Sequence, residues 1–211
     1  MTPSPPIGSR VPWSGAALTR RAPRRGERLP DRGVVPGPLV VAGGLAFLLG
    51  RAGLHGRSFG VPLLILGYVA LGGAALLVRE RYASGPQAAS LRWGVVLGIG
   101  VAAVLAAGVI AGPVPDRRVG VLAGAVAVVA AVAEEALFRR VLYDRLLRFG
   151  VVTAVAGSAV AFALVHLPAY GVAAMPVDLG AALLLSWQRY ASGRWTVPAV
   201  THAVANLLAV T

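Results

Sequence analysis

Two adjacent carboxylates, Glu134 and Glu135, sit near the end of an apolar and glycine-rich run that begins at Val119, and Arg139 and Arg140 follow one turn later. An ionisable group inside a membrane-length apolar segment costs on the order of 3 kcal/mol or more, so it needs a partner and marks function. Two other apolar runs carry comparable groups at helical spacing: Phe162 with His166, and His202 with Asn206. A carboxylate, two imidazoles and a carboxamide at one depth can hydrolyse an amide. The carboxylate takes a proton from water, an imidazole orients that water or a metal ion, and a second imidazole with the carboxamide donates to the developing oxyanion. Glu134, His166 and His202 are equally a ligand set for one divalent ion, zinc first, with an open position. No HExxH occurs, so the single-helix zinc signature is missing.

The spacing assigns separate work to the two carboxylates. Residues four apart share a helix face, which puts Glu135 with Arg139 on one stripe and Glu134 with Phe138 on the next. Glu135 and Arg139 read as a buried ion pair that lets the helix insert. Glu134 has no Arg on its own face and must find its partner on another helix. His166, and the face shared by His202 and Asn206, would each alone be polar contacts between helices. Together they are nearly the whole ionisable content of the apolar runs.

The elements that must position these groups are membrane helices. With 57% hydrophobic residues, 13% charged residues and a mean hydropathy of +0.74, the chain lies outside the soluble globular range. Apolar runs recur at about 38–54, 59–78, 93–112, 119–141, 151–168, 172–188 and 196–211. Several approach the roughly 20 residues that cross about 30 Å of hydrocarbon. None alternates with period two, so the expectation is an all-α polytopic membrane protein, a bundle of about seven transmembrane helices.

Equal depth follows from the hairpin. If Gly150 is the apex between the fourth and fifth runs, Glu134 and His166 each lie 16 residues from it, about 24 Å along antiparallel helices. His202 lies eight residues past Arg194, roughly 12 Å in from the same side.

All 20 basic residues are Arg, and cysteine is absent, which excludes disulfides and thiolate metal sites. The abundance of Arg, Ala, Gly, Val and Pro is the codon signature of a GC-rich bacterial genome. The net charge of +12 does not mark a nucleic-acid binder, because the Arg residues sit between the apolar runs rather than on one soluble module. Residues 1–37 are an Arg- and Pro-rich tail expected to be disordered. Counted by connector, most Arg falls on the side of that tail; the opposite side holds Arg51, Arg57, Arg117 and Arg118. The positive-inside rule then puts a multi-pass protein in the cell's inner membrane with its N-terminus in the cytoplasm.

Glu-Glu-x-x-x-Arg, Phe-x-x-x-His and His-x-x-x-Asn, in this order on successive apolar helices, resemble the CPBP intramembrane proteases, the CAAX protease and bacteriocin-processing family. The resemblance covers about 119–211, after an N-terminal helical part at 38–118, and is supported by Ser158, Gly193 and Pro198. It implies an intramembrane endopeptidase, of glutamate or metallo type, acting on a membrane-associated protein or peptide. Glu134 would be the water-activating base, His166 its partner, His202 and Asn206 the oxyanion or metal-side groups, and Glu135, Arg139 and Phe162 their support. Arg140 departs from the small residue common in the family and would narrow the entrance. The same residues would also suit a non-catalytic scaffold or bacteriocin-immunity protein that keeps them as a buried polar network.

Overall fold

The computed structural model describes residues 35–54, 57, 59–79, 91–111 and 120–210. The chain divides into two units, Met1–Pro30 and Asp31–Thr211. The first unit, and with it nearly all of the tail expected to be disordered, lies outside the described residues, as do Arg117 and Arg118. Among the described residues there is no strand; the fold is all-α.

The helices follow the apolar runs. They are α1 (Gly37–Gly50), continued by a 3-10 turn at Arg51–Leu54, then α2 (Gly60–Leu77), α3 (Trp93–Ala111) and α4 (Val121–Glu135). The α4 axis continues without a break through a π-helical stretch, Ala136–Leu142, into α5 (Tyr143–Leu146) and a closing 3-10 turn, Leu147–Phe149. After the turn come α6 (Val151–Tyr170), α7 (Met175–Ser192) and α8 (Thr196–Val210). Counting Val121–Phe149 as one, these make seven long helical segments among the described residues.

Among the described residues, five stretches are long and apolar enough to cross a membrane: Gly37–Leu54, Gly60–Leu77, Trp93–Ile110, Val121–Phe149 and Val151–Tyr170. This is a multi-pass membrane protein. The α8 helix is apolar but shorter, and α7 carries Asp178, Gln188 and Arg189 within its 18 residues. These last two helices turn polar groups inward: Ser186, Gln188, Arg189, Thr201 and His202 are all buried. By contrast Val109, Ile110, Val121 and Val152 stand exposed on the outer faces, as expected where lipid rather than water is the solvent.

The 150 turn forms because Gly150 takes φ +108, a conformation that side-chain-bearing residues rarely adopt. It reverses the chain so that α6 runs back along α5 and the π-helical stretch. Gly193 ends α7 at φ 68 in the left-handed region, and its N–H closes the helix on the Arg189 carbonyl. Around these turns α6 packs on α7, α4 on both α2 and α8, and α3 on α8 and α7. The central core gathers Leu64, Leu71, Leu137, Phe138, Val141 and Phe162 from three of these segments. The N-terminal helices are therefore part of the same packed body as the C-terminal ones.

Small residues set the close approaches. At Gly100 on α3, a Cβ would stand 2.0 Å from Nε2 of Gln188 and 2.7 Å from Oγ1 of Thr201. Gln188 uses that space to donate from Nε2 to the Val96 carbonyl at 2.9 Å and to Thr201 at 3.0 Å, tying α3, α7 and α8 together. Gly100→Ala should displace this amide and lower stability by about 1–3 kcal/mol, the cost of stranding a buried polar group. Thermal unfolding in lipid nanodiscs checks this, with an unchanged midpoint as the contrary result.

Candidate active site

Glu134 is 2% exposed and Glu135 fully buried, at the point where α4 widens into the π-helix. A π-turn lengthens the hydrogen-bond step by one residue, and such turns concentrate at functional sites. Here the Tyr143 N–H reaches back to the Phe138 carbonyl and passes over Arg139. The Arg139 carbonyl instead accepts a hydrogen bond from Nε of Arg189 on α7, at 3.0 Å.

Glu135 holds the back of the site. Its Oε1 accepts from Nη1 of Arg139 at 3.0 Å, the pair expected one turn apart, and from Nδ1 of His202 at 2.9 Å. Arg139, fully buried, also donates from Nη2 to the Ala182 carbonyl of α7 at 3.1 Å. Its guanidinium lies 4.6 Å from the Phe162 ring centre, within cation–π range.

Glu134 divides its two oxygens. Oε1 accepts from Nη1 of Arg51, and the Tyr68 hydroxyl lies 3.4 Å from the same oxygen. Oε2 faces two imidazoles, with Nε2 of His166 at 3.7 Å and Nε2 of His202 at 4.0 Å. Those separations are too long for direct hydrogen bonds and short enough for one shared water. Each ring is fixed from behind. Nδ1 of His166 bonds the Phe162 carbonyl at 2.8 Å, an acceptor only, so Nδ1 carries the proton and Nε2 of the neutral ring is left to accept. His166 is stacked between Phe162, with centroids 4.3 Å apart, and Tyr170, at 5.6 Å.

Phe162 is the hub of the aromatic packing. Besides His166 and Arg139 it meets Phe138 at 5.3 Å and His202 at 5.5 Å, edge to face. Asn206, one turn beyond His202, donates from Nδ2 to the Ala127 carbonyl at 3.1 Å. A cavity of about 1080 Å³ opens on this cluster and is lined by Arg51, Tyr68, Glu134, His166, His202 and Asn206 among apolar residues of α2, α3, α4, α7 and α8. Glu135 and Arg139 do not line it. The carboxylate expected to work thus faces the space, and the pair expected to support it stands behind.

Four Arg side chains are placed differently from the sequence reading. Arg51 does not sit in a connector: it is 5% exposed and turned inward on Glu134. Arg139 and Arg189 count with the connectors in the Arg bias, although Arg139 was also expected to pair with Glu135, and both are buried in the bundle as well. Arg140 does not narrow the cavity, which it does not line; it donates to the Ala75 carbonyl and so caps the C-terminal end of α2. The signal for Arg51 was present, since it interrupts an apolar run just as Glu134 does, and an intramembrane charge implies an opposite charge nearby. Tyr68 gave no such signal. Asp178 and Tyr170 also line the cavity without having been singled out.

Residues 117–208 match the family model described as Rce1-like, Type II CAAX prenyl endopeptidase Rce1-like. Over this region the chain is similar to the CAAX protease family. No curated protein and no solved structure matches the chain. At the level of the family, the CAAX protease region is that of an intramembrane endopeptidase. It contains Glu134, Glu135, Arg139, His166, His202 and Asn206, while Arg51 and Tyr68 lie before it.

The Glu135, Arg139 and His202 cluster yields a direct expectation. Removing one member of a fully buried ion pair strands the other charge and costs roughly 3–5 kcal/mol. Arg139→Ala should therefore lower the folded yield in membranes well below that of Glu134→Gln, which keeps the shape of its side chain. Equal yields by detergent-resistant size exclusion would remove the structural role given to Arg139.

Proposed function

We propose that the chain hydrolyses a peptide bond of a membrane-associated protein or peptide, with Glu134 as the base that activates water. The observation that carries this reading is the convergence of Glu134 Oε2 with Nε2 of His166 and of His202 at the wall of one cavity. A water bridging them would give one proton to Oε2 and a hydrogen bond to His166. Its oxygen attacks the scissile carbonyl carbon while the carbonyl oxygen takes up the negative charge. His202 and Asn206 donate to that oxygen. For His202 to donate from Nε2 its ring must carry both protons, because Nδ1 already faces Glu135. Asn206 has a second amide proton beyond the one given to Ala127. When the C–N bond breaks, the proton held by Glu134 passes to the leaving amine, so that water has added across the bond. Removal of bulk water from the site strengthens each of these contacts.

A metal route fits the residues less well. Both Nε2 atoms are backed at Nδ1 as metal-bound histidines are. Among the described residues, however, no group of three or more His, Cys, Asp or Glu side chains is arranged to hold a metal ion. The Arg51 guanidinium on Glu134 would further oppose a divalent cation. The proposed steps therefore use water and side chains alone.

The substrate we favour carries a lipid-modified cysteine. The family's description as a prenyl endopeptidase supports this, and so does the largely apolar lining of the cavity, to which Val61, Leu64, Val104, Leu122 and Val126 contribute. We also place the N-terminus in the cytoplasm, on the Arg bias that persists once Arg51, Arg139 and Arg189 are removed from the connectors. Reporter fusions at Arg32 and Arg148 should both register on the cytoplasmic face, and either one outside overturns the orientation.

The activity is tested with purified protein in nanodiscs and a quenched peptide bearing a prenylated cysteine. Groups that act as a unit are strongly non-additive when removed. Glu134→Gln, His166→Ala and His202→Ala should each abolish nearly all cleavage, with double variants little worse than single ones. Asn206→Ala, which removes one oxyanion donor, should leave activity lower by roughly 100-fold to 1000-fold. Chelators should leave the wild-type rate unchanged. Full activity in Glu134→Gln would sink the assignment of the base, and loss on chelation with recovery on adding zinc would return the metal to the mechanism.

A further inference from the structure

Arg51 and Tyr68 come from the 3-10 turn after α1 and from α2, ahead of the residues that match the family. Both are buried, and both line the cavity beside Glu134. Nη1 of Arg51 donates to Glu134 Oε1 and, at 2.6 Å, to the Tyr68 hydroxyl. The Tyr68 ring is held in turn by Phe47 of α1, edge to face with centroids 5.2 Å apart. The result is a chain of fixed contacts running from the α1–α2 hairpin to one oxygen of the proposed base.

We propose that Arg51, held by Tyr68, is a positioning residue for Glu134, so that the hairpin before the CAAX protease region completes the site. The proposal rests on Glu134 being the base argued above. The terminal torsion of a glutamate is broad and roughly two-fold, so helix position alone does not fix the plane of its carboxylate. A guanidinium on Oε1 fixes that plane and leaves Oε2 to face both imidazoles. A carboxylate free to rotate would spend part of its time with neither oxygen aimed between the two Nε2 atoms. Misplacement on that scale lowers the rate of the chemical step without weakening substrate binding in proportion.

A mere counter-charge would predict something else. If Arg51 served only to neutralise Glu134 during insertion, any change that preserved folding would preserve the rate. The experiment uses the full chain in lipid nanodiscs with the quenched prenylated peptide, and compares Arg51→Gln, Arg51→Lys and Tyr68→Phe with the wild type. Arg51→Gln should lower kcat by roughly 10-fold to 100-fold with KM held within about twofold. Arg51→Lys, which keeps a donor and the charge, should recover part of the loss, and Tyr68→Phe should show a smaller fall in kcat. A second readout needs no substrate. Thermal unfolding of Arg51→Gln, Glu134→Gln and the double variant should be non-additive, with the double variant unfolding above Arg51→Gln alone, because no lone carboxylate then remains buried.

A raised KM with unchanged kcat, or a folded Arg51→Gln protein with the wild-type rate, overturns the positioning role. Additive unfolding temperatures overturn the contact itself. If the wild type leaves the peptide intact, or Glu134→Gln cleaves it normally, the proposed activity or its base fails, and the unfolding cycle alone then decides the contact between Arg51 and Glu134.

Discussion

A carboxylate buried in a membrane bundle has to be compensated within the bundle, and the arrangement around Glu134 follows from that requirement. Water cannot solvate it there, and the effective dielectric is low, so a single nearby cation matters far more than it would on a soluble surface. Arg51 supplies that cation to one oxygen. The second oxygen stays within reach of two imidazole nitrogens. Had the compensation come from both sides, the carboxylate would be a structural group and nothing more. Its asymmetry leaves one oxygen available for chemistry, and Glu134 lines the cavity together with both imidazoles.

The neighbouring carboxylate is held from behind the cavity. Glu135 is engaged through Oε1 by both Arg139 and His202, and Arg139 is secured further by the Ala182 carbonyl and the Phe162 ring. Arg189 takes up the Arg139 carbonyl that the π-turn passes over. These contacts lock the π-helical part of the helix, and through Nδ1 of His202 they also fix the ring whose other nitrogen faces Glu134. Two glutamates adjacent in sequence thus have separate environments, one closed and one open, because a helix turns by about 100° between them.

Much of this was legible in the sequence. Hydropathy marked the seven helical segments because a bilayer demands long apolar runs, and the 16-residue spacing of Glu134 and His166 about Gly150 placed them opposite each other across a hairpin. The i,i+4 pairing of Glu135 with Arg139 needed only helix geometry. Contacts between segments distant in the chain were not legible. Arg51 reaches Glu134 across 83 positions, and only tertiary packing brings them together. The positive-inside rule misled at Arg51, Arg139 and Arg189, because it treats every Arg near the end of an apolar run as solvated, while a buried partner can draw the side chain inward. The π-turn had no sequence signature, since the residues Ala136–Leu142 would be equally at home in an α-helix.

The division of labour between the two oxygens of Glu134 is most directly tested by an experimental structure of the wild-type protein in lipid, at a resolution that shows ordered solvent. It should place Arg51 and Tyr68 on Oε1 and a single solvent atom within hydrogen-bonding distance of Oε2 and of Nε2 on both His166 and His202. A structure with both carboxylate oxygens engaged by Arg51, or with the two imidazoles turned away from Glu134, would contradict it.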